Sequence, residues 1–306
     1  MGEPKSDERV YSIAASMNLP AEETDPVHLD GPISAYSTAI EDVAFLIRSQ
    51  HRIHILQLLS EGPQTRDALL TATGASRVTL SRILSDLEDR NWIDRSYENG
   101  ELSITDVGAA IYEEVAELIE TVHVGNEKSH VTGQLPIGWR GLQLRHLVDS
   151  EVVVDDAADP MAASRAVADA IAESGSVRVL ASTVTQLSMK NGLASRRNGV
   201  RPDDQVVFDA DATEVCLEND SVTEQWTALE STAETPTFFS YDQPFPCEVY
   251  LVDDRTVFLM TWGKTEGATT VIKSENSRVV EWARVTFQNL RSESIALLDC
   301  ERAPST

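Results

Sequence analysis

Residues 48–105 carry a series of helix, turn and hairpin signals that constrains the fold of this chain more than any other feature. Apolar residues recur at helical spacing from Ala39 to Ser60, and Gly62-Pro63 ends that run. A periodic apolar segment that stops at a Gly-Pro pair is typical of a helix ending there. The series therefore begins with one predicted helix.

Two further helices are predicted by their capping residues. Thr65 is placed to cap a short helix that Gly74 closes, and Ser76 is placed to cap another helix that runs to about Arg90. In the latter, the apolar residues are spaced i, i+3, i+4 and i+7 and form one buried stripe: Leu80, Ile83, Leu84 and Leu87.

A hairpin and a long helix complete the series. A strand begins at Trp92, Asn99-Gly100 is a strong signal for a two-residue hairpin turn, and Glu101–Ile104 is the return strand. Thr105 can cap a long helix through about Val122. This order of elements predicts a winged helix-turn-helix, although a small helical subdomain with a hairpin would give the same helix signals.

The third helix has the face that reading of DNA requires. At about 100° per residue, a polar side lies opposite the apolar stripe. Arg82 is suited to a bidentate contact with guanine, Val78 to a thymine methyl group, and the helix N-terminus to a backbone phosphate. We therefore predict double-stranded DNA as a partner, contacted from this helix and the hairpin by Ser76, Arg77, Val78, Thr79, Ser81, Arg82, Ser85, Arg95, Tyr97 and Asn99.

The charge of the chain is strongly acidic outside this region. Fifty Asp and Glu residues stand against 25 Lys and Arg, a net charge of −25. Such a lysine-poor composition is typical of a protein from the cytosol of a salt-loving organism, or of a mesophilic protein with an acidic surface. Acidity normally argues against nucleic-acid binding. Residues 48–104, however, hold seven Arg against eight Asp and Glu, a net charge of −1.

Two stretches of the chain resemble known archaeal families. The first is SQHRIHILQLLSEGPQTRDALLTATGASRVTLSRILSDLEDRNWIDRSYENGELSITDVGAAIYEEV. It resembles the haloarchaeal winged-helix regulators, with Asn91 in place of their usual glycine. DDAADPMAASRAVADAIAESGSVRVLAS and VFLMTWGKTEGATTVIKSENSRVVEWARVTFQNL resemble, more loosely, the effector domain of archaeal methanogenesis and sugar-responsive regulators. The similarity covers about residues 41–292, and it implies a dimer that binds promoter DNA and responds to a metabolite.

We predict an α+β fold in which an N-terminal winged helix-turn-helix is followed by a mixed α/β effector domain. The predicted parts are a disordered acidic extension (1–38), the winged helix-turn-helix with a dimerisation helix (39–124), a linker (125–145) and the effector domain (146–296). The helix after Thr105 is interpreted as the dimerisation helix of a homodimer. Packing of that helix against its own winged helix is the alternative.

A ligand site is predicted in the second domain. Polar residues follow the buried strand Val177–Ala181, where α/β sheets bind ligands, and an aromatic residue in a late strand can line a pocket. The candidate ligand residues are Ser182, Thr183, Thr185, Gln186 and Trp262. Capping of a helix by the hydroxyls is the alternative, and Trp226 and Tyr241 are as readily explained as core.

Other chemistries lack their sequence signatures. His51 and His54 have no cysteine or carboxylate cluster nearby, so we predict no metal site and no cofactor. The absence of a P-loop, a nucleophile elbow and a dinucleotide fingerprint predicts that the protein is not an enzyme. Three scattered cysteines and the lack of a signal peptide or a long apolar run predict a soluble cytoplasmic protein with no membrane partner.

The predicted function is therefore a dimeric, sequence-specific transcriptional regulator whose activity depends on a small metabolite. Two alternatives remain at this stage: a constitutive DNA-binding protein whose second domain only oligomerises, and an enzyme fused to a DNA-binding head.

Overall fold

The computed structural model describes residues 29–301, except Glu98, 185–203, Thr232, Glu234 and 263–268. It divides into two compact units, here called the head (up to Glu113) and the C-terminal unit (from Glu114). The predicted extension lies outside the described residues up to position 28. Its remainder contains a 3-10 turn, and helix begins at Ser37.

Five helices begin in the described part of the head: α1 (Ser37–Ile47), α2 (Gln50–Ser60), α3 (Arg66–Thr73), α4 (Arg77–Glu88) and α5 (Asp106–Glu127). The prediction of one helix from Ala39 to Ser60 is wrong, because the chain breaks at Ser49, which is extended (φ −143°, ψ 115°). Leu46 and Ile55 are both fully buried. Nine residues apart, they would face opposite sides of one continuous helix, so the break allows both to enter the core.

The caps of α3 and α4 are those that the sequence predicts. Thr65 Oγ1 accepts a hydrogen bond from Ala68 N (3.2 Å), and Ser76 Oγ accepts one from Thr79 N (3.1 Å). Gly74 ends α3 in the left-handed region (φ +65°), where a side chain would be strained. The four apolar residues of the α4 stripe are buried, which confirms the predicted inner face.

The hairpin pairs β1 (Ile93–Arg95) with β2 (Leu102–Ile104). Arg95 lies opposite Leu102, so residues 96–101 connect the strands and the predicted two-residue turn is wrong. The connection is closed by its own backbone, since Ser96 N donates to the Glu101 carbonyl oxygen (2.8 Å). Together, the helices and the hairpin form a winged helix-turn-helix.

The start of α5 is fixed against the end of α4. Thr105 Oγ1 accepts from Gly108 N (3.0 Å) and donates to the carbonyl oxygen of Asn91 (2.8 Å). Asn91 itself is left-handed (φ +56°), a conformation that asparagine tolerates. A Cβ at Gly108 would lie 2.0 Å from the Trp92 carbonyl oxygen, so only glycine permits this approach.

In the C-terminal unit, the described strands form one eight-stranded sheet in the order β10-β6-β5-β4-β7-β8-β9-β3. Strands β4, β5 and β6 are parallel neighbours, and the other pairs are antiparallel. The strands are β3 (Glu151–Val154), β4 (Val177–Ala181), β5 (Gln205–Phe208), β6 (Phe238–Ser240), β7 (Glu248–Val252), β8 (Thr256–Trp262), β9 (Thr269–Ser274) and β10 (Ile295–Ala296).

Helices cover both faces of this sheet, and alternate strand residues enter two different cores. Leu180 packs in the core that contains the residues of one long helix, whereas its neighbour Val179 packs in the core of the opposite face. The long helix is α9 (Ser277–Glu293); the opposite face carries α6 (Ala162–Glu173), α7 (Ala210–Glu218), α8 (Asp220–Glu230) and α10 (Leu297–Glu301). The predicted α+β class is therefore confirmed.

The segment 125–145 is part of the C-terminal unit, which corrects the expectation of a linker. After α5 it forms 3-10 turns, and Val131 and Leu142 are buried in the core that α9 covers. Lys128 is also buried, and its Nζ donates to the Ser150 carbonyl oxygen (2.8 Å). The segment shows no sequence period because its buried residues lie on irregular backbone.

The cysteines are unpaired thiols. Cys216 and Cys247 are buried, and Cys300 is partly buried. Burial raises the pKa of the Cys216 thiol to about 12, which keeps it protonated near neutral pH. Among the described helices, none is both long and apolar enough to cross a membrane.

Candidate nucleic-acid interface

The outer face of α4 is fully accessible. Val78 is 80% exposed, and Arg77, Arg82 and Ser85 are exposed beside it. The side chains of Arg77, Arg82 and Ser85 form no hydrogen bond or ion pair with any residue that the structure describes. Two guanidinium groups, a hydroxyl and a branched apolar group are thus available on one helix face, and these groups can contact base edges and phosphates.

Three other predicted contact residues on α4 are engaged within the head. The Ser76 hydroxyl caps the helix and lies 2.8 Å from the Thr79 hydroxyl. Ser81 Oγ donates to the Arg77 carbonyl oxygen (2.7 Å) and accepts a hydrogen bond from Arg66. These hydroxyls shape the helix, and their capacity to bond another molecule is reduced.

Arg66 is a residue that the sequence reasoning did not select. It is the first residue of α3, it is exposed, and its guanidinium reaches Ser81 on α4. It therefore joins the two helices of the helix-turn-helix at the edge of the exposed face. The sequence does contain a signal for this residue. Arg66 directly follows the helix cap Thr65, and anions such as DNA phosphates bind at the N-terminus of a helix.

The hairpin presents fewer free groups than predicted. Arg95 pairs with Glu88 (Nη2–Oε1 2.8 Å), and Asn99 Nδ2 donates to Glu101 Oε2 (2.7 Å). Tyr97 is fully exposed in the connection between the strands. Of the three predicted hairpin residues, Tyr97 therefore has an accessible side chain, and Arg95 is partly neutralised by its carboxylate partner.

A cluster of arginines at the α1–α2 junction was also missed. Arg52 and Arg90 both stack on the Phe45 ring, with guanidinium carbons 3.7 and 3.9 Å from its centroid. Together with Arg48 and Glu41 they line an open cleft of about 450 Å³. Arg90 is also paired with Asp42 (2.9 Å). Arg48 and Arg90 are 42 positions apart in the chain, so the spacing of residues in the sequence does not reveal the cluster.

This cluster and the outer face of α4 share one electrostatic environment. Burial lowers the pKa of the Arg52 guanidinium; the Asp86 carboxylate opposes that shift, and the Arg82 guanidinium of α4 adds to it. Arg82 and Arg52 are therefore close enough for their charges to interact, with Glu41, Asp42 and Asp86 lying among these arginines. Residues 48–104 as a whole carry a net charge of −1.

In the C-terminal unit, two predicted ligand residues form internal hydrogen bonds: Thr183 with a buried carboxylate and Ser182 with a backbone carbonyl group. The Glu248 side chain accepts hydrogen bonds from Thr183 N (2.9 Å), Thr183 Oγ1 (2.7 Å) and the Tyr250 hydroxyl (2.6 Å). Ser182 Oγ donates weakly to the Phe245 carbonyl oxygen (3.5 Å). Burial raises the pKa of Glu248, and the hydrogen bonds from Tyr250 and Thr183 oppose that shift. This arrangement satisfies the polar groups internally.

The other predicted ligand residues and aromatic residues of the C-terminal unit do not lie together at one site among the described residues. Trp262 ends β8 and is 44% exposed, whereas Thr185 and Gln186 lie outside the described residues. Trp226 is fully buried and donates from Nε1 to the Cys216 carbonyl oxygen (2.9 Å), which is a core role. In the part of the chain that the structure describes, no group of three His, Cys, Asp or Glu side chains is arranged to hold a metal ion.

Comparison with known proteins gives one family match, which covers residues 40–127. That family is described as the HVO_A0261 N-terminal domain. No curated protein matches the chain. The match includes all of α2 to α5, so the likeness of the chain to this family concerns the winged helix-turn-helix and the helix after it.

Three solved structures show a distant likeness. TrmBL2, an archaeal chromatin protein described as showing a novel mode of DNA binding, is 11% identical; the match covers 84% of this chain and 99% of TrmBL2, with a TM-score of 0.36. The phospholipase D family member Nuc from Salmonella typhimurium is 18% identical over 48% of this chain and 97% of that chain (TM-score 0.36). NucT from Helicobacter pylori is 12% identical over 48% and 98% (TM-score 0.33). All three TM-scores are below 0.5.

Proposed function

We propose that this protein is a sequence-specific DNA-binding transcriptional regulator in which α4 enters the major groove. The observation that carries this proposal is the division of α4 into two faces. Leu80 and Leu84 are buried, whereas Val78 is 80% exposed and the Arg82 guanidinium is unbonded among the described residues. An amphipathic helix that is held by its inner face can enter a groove without rearranging.

The protein acts as a homodimer in this proposal. Two heads would occupy successive major grooves about 34 Å apart, so the operator is expected to be pseudo-palindromic. Because residues 48–104 carry a net charge of −1, base contacts and dimerisation supply affinity that phosphate contacts supply in basic proteins. Binding should accordingly weaken less steeply with salt than binding by a strongly basic protein.

The C-terminal unit has a regulatory and non-catalytic role in this proposal. A small metabolite binds at the edge of the sheet where β4 ends, with the exposed ring of Trp262 available for apolar contact. The ligand changes DNA affinity by binding one state of the dimer more tightly than another. A metabolite screen by thermal shift, repeated with Trp262→Ala, tests this part. A hit that raises Tm equally in both proteins places the ligand elsewhere.

The reading role of α4 is tested by measuring the affinity of Arg82→Ala for the operator and for scrambled duplexes. The operator is first obtained by selection from random duplex DNA. We expect a loss of roughly 5- to 150-fold on the operator, with relaxed preference at one base pair. Arg255→Ala, which removes an exposed arginine from the C-terminal unit, is the matched control and should bind normally.

Each other outcome has a defined meaning. An equal loss on all sequences makes Arg82 a phosphate contact and contradicts the base-reading role. Unchanged affinity on every duplex, or no selectable operator, overturns the proposed function.

A further inference from the structure

Helix α1 presents an apolar stripe to the outside of the head. Ile40, Val43 and Ile47 are 47%, 40% and 51% exposed, although they recur at the spacing of one helix face. The inner side of the same helix packs in the core through Leu46, which is fully buried. A helix that is apolar on both sides is typical of one that has a second partner.

A charged flank runs beside this stripe. At about 100° per residue, Glu41 and Arg48 both lie on the same side of the line of Ile40 and Ile47. Both are exposed, and neither side chain forms an ion pair with any residue that the structure describes. They stand two helical turns apart, one near each end of the stripe.

The negative charge lies near one end of the stripe and the positive charge near the other, so two antiparallel copies of α1 place opposite charges side by side. In an antiparallel helix pair related by a two-fold axis, equivalent flanks face each other, as the e positions of antiparallel coiled coils do. With the axis near Ala44, Glu41 of one copy meets Arg48 of the other, and the reciprocal pair forms on the far side of the axis. A parallel pair would bring the charged flank against the opposite flank, which carries Val43 instead of a charge.

The other exposed apolar helix lacks this complementarity. Helix α5, which the sequence favours as the dimerisation helix, exposes Leu118, Ile119 and Val122. Its residues include six Asp or Glu and no Lys or Arg. Glu117 and Glu120 pair with arginines of the C-terminal unit, but Glu113 and Glu114 form no ion pair with a described residue. Self-association of α5 would therefore bring these like charges together, whereas self-association of α1 pairs opposite charges.

We infer that α1 forms the seam of an antiparallel homodimer, with Ile40, Val43 and Ile47 at its centre and two Glu41–Arg48 ion pairs at its sides. This deepens the proposed function, because it rests on a dimeric regulator and names the surface that makes the dimer. An 11-residue helix is only about 16 Å long, so the seam is smaller than a standard interface of about 800 Å² per partner. The dimer is expected to dissociate on dilution.

The decisive experiment is a charge exchange in the full chain. The dimer dissociation constant is measured by sedimentation equilibrium for wild type, Glu41→Arg, Arg48→Glu and the double variant, at 0.1 M and 1 M salt. We expect each single variant to weaken the dimer about tenfold or more at the lower salt, and the double variant to recover most of that loss. The penalties should shrink at 1 M, where the screening length is about 3 Å. A double variant no better than the single variants overturns the inference.

Substitutions of exposed apolar residues distinguish α1 from α5 as the dimer interface. Ile47→Glu should give a monomer at both salt concentrations, and Leu118→Glu should remain dimeric, with circular dichroism confirming that both variants fold. The reverse pattern assigns the seam to α5 and overturns the inference. A wild type that stays monomeric, with residues 1–28 protecting α1 from chemical labelling, also overturns it.

The outcome is distinguishable from failure of the proposed function. If α1 is the seam, monomeric Ile47→Glu still binds a single half-site through α4, with reduced affinity for the full operator. If the DNA-binding proposal fails, neither the dimer nor the monomer selects a sequence.

Discussion

The head and the C-terminal unit use their polar side chains in opposite ways. In the head, the side chains of Arg77 and Arg82 project from α4 and form no hydrogen bond or ion pair with a described residue. In the C-terminal unit, Thr183 and Tyr250 both donate to the buried carboxylate of Glu248. The head therefore keeps polar groups available for a partner, whereas the C-terminal unit uses the most prominent ones to hold its own sheet edge together.

The largest expected effect is a difference in stability between the two regions. Glu248 is buried, so Glu248→Ala leaves a cavity and also removes the acceptor of Thr183 and Tyr250; we expect a loss of about 3 kcal/mol of unfolding free energy. Arg82→Ala should change it by no more than about 0.5 kcal/mol. Denaturant unfolding in concentrated salt measures both. A Glu248→Ala protein as stable as wild type would contradict the structural role of this carboxylate and, with it, the difference between the two units.

A smaller effect is expected within α4, between two serines. Ser76→Ala removes the cap to Thr79 N and should cost about 1 kcal/mol. Ser85→Ala is the matched control, because its hydroxyl is exposed and bonds no described residue, and it should leave stability within about 0.5 kcal/mol. Unfolding curves for the pair measure this; equal losses would show that Ser85 is also structural.

The pH dependence of stability should change in Glu248→Gln. Because burial raises the pKa of Glu248, the folded protein binds the proton more tightly than the unfolded chain. Ionisation therefore costs stability as the pH rises above the unfolded pKa. Glutamine cannot ionise, so the stability of Glu248→Gln relative to wild type should grow from about pH 4.5 upward. Unfolding free energies at several pH values measure it, and a pH-independent difference would show that Glu248 ionises without penalty.

The smallest expected effect concerns the hairpin. Glu88→Ala removes the carboxylate that pairs with Arg95 and should cost less than about 1 kcal/mol of stability, because the pair is exposed. It should also raise affinity modestly for all DNA sequences, since a cation is released near the phosphates. Glu275→Ala, which frees Arg255 in the C-terminal unit, should leave binding unchanged. Identical behaviour of the two variants would remove the hairpin from the interface.

The elements that the sequence predicts well are those set by neighbouring residues. The caps Thr65 and Ser76 begin their helices where predicted, since each side chain bonds an amide three residues further on. The break at Ser49 was not predicted, because it depends on where Leu46 and Ile55 meet the core. Helix α7 was not predicted, because nine residues are too few to establish an apolar period and three of its apolar residues, Val215 to Leu217, are consecutive.

The sequence by itself determined the two faces of α4, because helical periodicity fixes which side each residue occupies. The exposure of Val78 follows from the burial of Leu80 and Leu84 on the other side. Only the tertiary structure decided which polar residues remain free. Thr183 meets Glu248 across 65 positions of the chain, and such a hydrogen bond forms only once strands distant in sequence are paired side by side in the sheet.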